Sequence, residues 1–456
     1  MRIERDMVGS ATIEDDVYYG LQTVRAAQNF HITGRSLNPD FIDSLAEIKK
    51  AAALVNAETG DLSEKRMRAI VQACDEILKG DLKDQFITDA IQGGAGTSAN
   101  MNINEVVANR AIELLGGKKS DYCVVHPNDH VNMSQSTNDV IPTAGKMTAL
   151  KLMRSLIDQI NRLVEALAEK EQEFDHILKM GRTQMQDAVP IRLGQEFGAY
   201  RSMVQRDMAR LVSAQEELKY VNMGGTAIGT SINANPGYVE RIVPRLSEVS
   251  GLHLEMASNL IDATQNLDCF VAVSSALRTC AVDLSKMAND LRILSSGPRT
   301  GFHEINLPPR QNGSSIMPGK VNPVIPEVVS QVAFNIVGND VTISMAAEAG
   351  QLELNAFEPV VFYKLFESIV TMEGAIQTLV DNCVSGITAN EEHCEDLVMQ
   401  SVGVITALCP YIGYTLAADI AKAAIRKDIS VREELRQRGI LSAEEIDRYL
   451  DPYAMT

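Results

Sequence analysis

The residue types best suited to chemistry gather in one run, Gly313-Ser314-Ser315-Ile316-Met317-Pro318-Gly319-Lys320-Val321-Asn322-Pro323. It joins flexible and stiff backbone residues, two hydroxyls, one isolated cation and one amide, just ahead of a long helical pattern. Asn322 followed by Pro323 reads as an N-cap and first helical residue. A helix start offers free N–H groups and the positive end of a dipole, so an anion beside Lys320 and Asn322 is favoured. By composition alone, such a loop is more often a connection than a site.

Three further loops share this character. In Ser134-Gln135-Ser136-Thr137-Asn138-Asp139, hydroxyl and amide side chains gather at a helix entrance, where they could ring a carboxylate. Gly181-Arg182-Thr183-Gln184-Met185-Gln186-Asp187-Ala188-Val189-Pro190 is a polar run ahead of another helix, and Gly93-Gly94-Ala95-Gly96-Thr97-Ser98-Ala99-Asn100-Met101-Asn102 is a glycine run that leads into a third. Capping alone accounts for any one of these residues taken singly. The glycine run has neither the GxGxxG spacing after a strand nor a GK[ST] ending, which excludes nucleotide binding by either fingerprint.

Long helices must position these loops. From about Thr143 to Ile177 the apolar residues Leu150, Met153, Ile157, Ile160, Val164 and Leu167 recur every three or four positions, which predicts one helical stripe. Similar patterns run over about 193–220, 264–294, 323–347 and 356–383, so the expected fold is all-α with an elongated five-helix bundle. The pieces 92–104, 132–142, 180–190, 222–237 and 296–323 read as loops or helix entrances. A boundary near Asp139 and another near Asn390 predict an N-terminal domain (1–139), a central bundle (140–390) and a small C-terminal helical domain (391–456).

Bulk properties narrow the function classes. The formal net charge is −18, from 42 Lys plus Arg against 60 Asp plus Glu, which argues against nonspecific nucleic-acid binding. With 45% hydrophobic and 22% charged residues the chain is globular, and at about 150 residues per domain its 456 residues fit about three domains. Only 5% of residues are aromatic and none is Trp, whereas Ala, Leu, Met and Glu recur through segments that favour helix. The opening Met1-Arg2-Ile3-Glu4-Arg5-Asp6 lacks a signal-peptide core, and no stretch of about eighteen apolar residues suggests a membrane span, so the expected location is the cytoplasm. Seven scattered cysteines (Cys74, Cys123, Cys269, Cys280, Cys383, Cys394, Cys409) predict reduced, mostly buried thiols. His126 and His130 flank Pro127-Asn128-Asp129 without a cysteine or carboxylate pattern, so a loop role is expected and no metal or cofactor is called for.

Taken together the loops resemble those of the aspartase/fumarase superfamily, whose hallmark GSSxMPxKxNP stands here as Gly313 to Pro323. The likeness runs from Ile3-Glu4-Arg5-Asp6 to the C-terminal segment. Within the superfamily, Gly93-Gly94-Ala95-Gly96-Thr97-Ser98, Ser134 to Asp139 and Gly181-Arg182-Thr183-Gln184 look more like the aspartases than the class II fumarases. Fumarases typically carry GSGTQ, SQSSND and a His after GRT, paired with a Glu that matches Glu327; Gln184 cannot change charge near neutral pH, so that arrangement is incomplete. The resemblance implies a homotetramer with a twenty-helix core and active sites shared by three subunits. It implies deamination of L-aspartate to fumarate, with class II fumarate hydratase as the near alternative. Ser314 would be the catalytic base. Thr97, Ser136, Thr137 and Ser315 would stabilise the developing oxyanions, Lys320 and Asn322 would hold the α-carboxylate, and Asn138, Thr183 and Gln184 would surround the ammonium.

Overall fold

Pro39–Glu58 illustrates how this sequence makes helices. Asn38 accepts from the Asp40 N–H at its start, Pro39 supplies a preset φ, and Phe41, Leu45, Ile48, Ala52 and Val55 fall on a buried face. In the computed structural model, which describes residues 1–456, 63% of the chain is helical and every sheet has only two strands. The fold is therefore all-α, as the sequence predicts.

The chain opens with an antiparallel hairpin, β1 (Arg2–Arg5) and β2 (Ser10–Ile13), followed by α1 (Leu21–Asn29), α2 (Pro39–Glu58), α3 (Glu64–Leu78) and α4 (Thr97–Leu114). The buried Glu105 carboxylate of α4 accepts from the N–H groups of Gly20, Gln22 and Thr23 and from the Thr23 hydroxyl, so it satisfies the orphan donors that open α1. Next come α5 (Thr137–Glu173), the antiparallel hairpin β3 (Leu178–Thr183) and β4 (Gln186–Arg192), α6 (Leu193–Ala214), α7 (Pro236–Ser250), α8 (Leu260–Gln265) and α9 (Asp268–Leu294). α10 (Val324–Glu348) and α11 (Glu358–Asn382) complete the set of long helices.

Two compact units form. The first comprises 1–157, 210–279 and 335–371, the second 158–209, 280–334 and 372–456. The five long patterns of the sequence are α5, α6, α9, α10 and α11, and each contributes one stretch to each unit. In the second unit the shorter helices α12 (Glu391–Gln400), α13 (Cys409–Ile412), α14 (Tyr414–Lys427), α15 (Val431–Arg438) and α16 (Ala443–Tyr449) surround a core that includes Val398, Leu408, Ile420, Leu435 and Ile446. The charged run from Lys422 to Arg448 is mostly exposed, with Glu434 as a buried exception that pairs with Lys427 and Arg438. All seven cysteines are free thiols, and five are buried. No helix is long and apolar enough to cross a membrane.

Three local expectations are corrected. The helix expected from about Thr143 begins earlier, at Thr137, and carries Pro142 inside it. Proline at that place cannot bond the Asn138 carbonyl four residues back; the Asn222 side-chain amide takes that acceptor instead, at 3.0 Å. The run 180–190 falls in a hairpin rather than a loop or helix entrance, because Leu178–Thr183 and Gln186–Arg192 pair across the two-residue turn Gln184-Met185. Finally, α10 starts at Val324, so Asn322 is not its cap; the Asn322 amide donates to the Gly313 carbonyl at 2.9 Å.

Candidate active-site loops

In the first unit the turn before α5 brings Ser136, Thr137 and Asn138 together, each half-buried. Ser136 Oγ accepts the Asn138 N–H at 3.2 Å, and Thr137 Oγ1 accepts from Asn100 Nδ2 at 3.2 Å. A hydroxyl has a single proton, so one that already accepts keeps that proton free to donate outward. Asn138 differs: its Nδ2 donates to the Ala227 carbonyl at 2.7 Å, which leaves Oδ1 as an acceptor suited to a cation. Thr97 opens α4 and is exposed, but its hydroxyl donates to the Gly94 carbonyl at 2.7 Å, a bond it must surrender before serving an anion. Gly96 precedes it at φ 84°, where a Cβ would lie 2.8 Å from Ile141, so the glycine is needed both for conformation and for space.

Two buried titratable side chains fasten this turn: Lys49, which no sequence motif marks, and Asp139, which the motif includes without a role. Lys49 of α2 is 0% exposed; its ammonium donates to Asn100 Oδ1 at 2.7 Å, Asn132 Oδ1 at 2.8 Å and Gln135 Oε1 at 3.0 Å. Asp139, also 0% exposed, accepts the N–H groups of Ser136, Thr226 and Gly224 at 2.9, 2.9 and 3.2 Å. Burial pulls the Lys49 ammonium down to about 7, against the opposing influence of Asp139 and Cys74. Burial likewise pushes the Asp139 carboxyl up to about 6, with its three N–H donors and Lys49 acting the other way. A lysine on the face otherwise made by Phe41, Leu45, Ile48 and Ala52 was the sequence signal available for Lys49. His126 and His130 serve the adjoining turn Pro127–Val131: His126 Nδ1 accepts from the Asn128 and Asp129 N–H groups, and His130 Nδ1 accepts from the His126 N–H.

In the second unit, the exposed Thr183 and Gln184 lie at the turn of the β3–β4 hairpin. Gln184 and Met185 have φ values of 54° and 63°, the left-handed pair that a tight hairpin requires but that neither residue prefers. The hairpin is held by Arg182, whose guanidinium donates to Glu304 Oε1 at 2.7 Å and lies 4.4 Å from the centre of the Phe302 ring. Glu304 is 0% exposed and also faces Lys179 at 3.2 Å, while Lys179 pairs with Glu196 at 2.7 Å. Glu304 was missed in the sequence because its partners lie more than a hundred residues away.

The hallmark loop closes on itself in the same unit. The Gly313 N–H donates to the Lys320 carbonyl at 2.8 Å, and Asn322 ties down the Gly313 carbonyl. A Cβ on Gly313 would meet the Lys320 carbonyl oxygen at 2.5 Å, so no side chain fits there. Ser314 Oγ accepts two backbone N–H groups, from Ile316 at 3.2 Å and Met317 at 3.1 Å. Both favour the ionised over the neutral hydroxyl. Ser315 and Lys320 are exposed, and the tip presents Ile316 at 84% exposure, an apolar side chain with nothing over it. The candidate residues thus form one group in the first unit and two in the second, the hairpin turn and the hallmark loop.

A model of a family described as lyase matches residues 9–338, and one described as the fumarase C C-terminus matches 404–456. The aspartate ammonia-lyase of Bacillus subtilis (strain 168) is 53% identical over 455 residues, covering 100% of this chain and 96% of that protein. A fumarate lyase:delta crystallin of Brucella melitensis, crystallised bound to cobalt, superposes with a TM-score of 0.97 at 49% identity and covers 100% of this chain and 99% of that one. The class II fumarase of Schistosoma mansoni superposes with a TM-score of 0.96 at 36% identity, covering 99% and 98%.

Proposed function

Because the chain belongs to the lyase family, and within it to the aspartate ammonia-lyases by identity along its full length, we propose that it converts L-aspartate reversibly to fumarate and ammonia. The observation that carries this reading is the 53% identity with an aspartate ammonia-lyase over 455 residues. The fold itself does not separate the amine from the hydroxyl reaction, since a fumarase shares it at a TM-score of 0.96. Class II fumarate hydratase therefore remains the second reading. Gln184 weighs against it, because an amide cannot trade a proton with water near neutral pH.

Elimination must remove a weakly acidic proton from the carbon next to the β-carboxylate. The electron pair moves into that carboxylate as a dianionic aci-form, then expels ammonia from the neighbouring carbon on the opposite face. Ser314 takes the proton. Its oxygen already receives the Ile316 and Met317 N–H groups, which stabilise a serine oxyanion and so make the residue a competent base. The developing carboxylate charge falls to Thr97, Ser136, Thr137 and Ser315, of which Ser136 and Thr137 have hydroxyl protons already left free by the bonds they accept. Lys320 and the second N–H of Asn322 hold the α-carboxylate. Asn138 Oδ1, Thr183 and Gln184 receive the ammonium.

The reading includes assembly, with loops of different subunits meeting in a homotetramer, as the family resemblance implies. Support comes from Val337, Val341 and Met345, which share one exposed face of α10 at 36%, 56% and 67% exposure, an apolar strip that a partner subunit would cover. Three domains along the chain (1–139, 140–390 and 391–456) and a cytoplasmic location complete the proposal. The free, mostly buried thiols fit a reducing compartment. The test is to supply L-aspartate and L-malate separately and follow fumarate absorbance: fumarate with stoichiometric ammonia from aspartate alone is expected, and fumarate from malate alone would establish the hydratase instead.

A further inference from the structure

We propose that Lys49 is a positioning residue of this reaction, one that fixes, through the Asn100 carboxamide, the direction in which the Thr137 hydroxyl donates. The inference rests on the preceding reading that Thr137 faces the developing oxyanion. A carboxamide can flip, and at Asn100 the flip would exchange a donor for an acceptor in front of Thr137. Lys49 removes the choice. In its charged form Lys49 has only donors, so the Asn100 atom 2.7 Å from Lys49 Nζ is then Oδ1, and Nδ2 is turned toward Thr137 Oγ1 at 3.2 Å. Thr137 Oγ1 then accepts, and its own proton must point elsewhere. The bonds run in one sense from ammonium to amide to hydroxyl, and each polarises the next toward a negative charge at the far end.

The surroundings of Lys49 support a role beyond holding the fold. Its three protons are taken by the neutral acceptors of Asn100, Asn132 and Gln135, with no carboxylate in ion-pair contact. A lysine kept only for stability would be cheaper as an apolar side chain, given that α2 packs it among Leu45, Ile48 and Ala52, all 0% exposed. An ammonium ringed by amides has no carboxylate in direct contact to cancel its charge. That charge is useful where a dianionic species must form nearby. Asp139 acts on Lys49 through space and favours its charged form, while its carboxylate oxygens take the N–H groups of Ser136, Gly224 and Thr226.

The decisive variant is Asn100→Asp. A carboxylate there pairs with Lys49, which keeps the buried charge satisfied; it gives up the Asn100 Nδ2 bond to Asn132 Oδ1 at 3.2 Å, presents an acceptor to Thr137 and draws the hydroxyl proton away from the substrate. We expect thermal stability to hold while kcat for aspartate falls on the order of 10²-fold with KM changed by less than about threefold. Lys49→Met is expected to lower kcat similarly. Combining either change with Thr137→Val should cost no more than the worse single variant, since all three act on one hydroxyl proton. Full activity of Asn100→Asp, or losses that multiply in the double variants, would overturn the proposal. Thr137→Val alone reports on the premise: unchanged turnover would show that Thr137 does not meet the reacting atoms and would remove the proposal with it. Should Lys49→Met fail to fold, the Asn100→Asp and Thr137→Val pair still decides.

Discussion

At the residue scale, the site is a matter of which polar atoms already have partners. Ser314 Oγ receives two backbone N–H groups, bonds that would stabilise the oxyanion the proposed base requires. Ser314→Ala removes that oxygen from an exposed loop whose other bonds are backbone–backbone or belong to Asn322, so the fold should be untouched. The expected outcome is a loss of roughly 10²–10⁴-fold in kcat with an unchanged circular dichroism spectrum, and near-normal turnover would place the base elsewhere. Lys320 is the opposite case, an exposed cation whose ammonium makes no ion pair in the protein. Lys320→Met should chiefly weaken substrate binding. A lost charge-assisted contact of about 1.5–3 kcal/mol corresponds to roughly a 10- to 100-fold rise in KM, read from initial rates across aspartate concentration.

At the scale of elements, the anchors lie away from the loops they hold. Arg182 ties the β3–β4 hairpin to Glu304, a carboxylate with no exposed surface. Arg182→Met would leave that carboxylate with Lys179 alone, and Lys179 also serves Glu196. Breaking one partner of a buried pair costs about 3–5 kcal/mol, so the midpoint of urea unfolding should fall clearly, and KM should rise as Thr183 and Gln184 lose their fixed turn. An unchanged midpoint would mean the hairpin is secured by strand pairing alone. The same elements mark what could be read without coordinates. Apolar spacing located α5, α6, α9, α10 and α11, because a buried helical face leaves a period of about 3.6 in the sequence. The hairpin at 178–192 includes 180–190, which reads as a loop or helix entrance because its polar turn residues carry no Asn-Gly or Asp-Gly signal. Local motifs point to Ser136, Thr137, Ser314 and Lys320 as candidates. Lys49, Asn100 and Glu304 stayed hidden, because their significance lies in contacts such as Lys49 with Gln135 across 86 residues.

At the scale of the whole molecule, the proposed reaction makes activity a property of the assembly. Ser136, Thr137 and Asn138 belong to one compact unit, and Ser314, Ser315, Lys320 and Asn322 to the other. If each site takes its hallmark loop from one subunit and its Thr137 turn from another, two defective chains can repair each other. Ser314→Ala supplies a sound Thr137 turn, and Thr137→Val a sound hallmark loop. Each homotetramer should be nearly inactive. After the two are unfolded together in equal amounts and refolded, random mixing gives a given site an intact loop half the time and an intact turn half the time, so about one quarter of wild-type turnover should return. Light scattering on the same sample ties the recovery to tetramers. Mixing the folded variants without unfolding is the control and should restore nothing on the assay timescale if subunits stay associated. A refolded tetramer that recovers no activity would place the Ser314 loop and the Thr137 turn of each site on the same subunit.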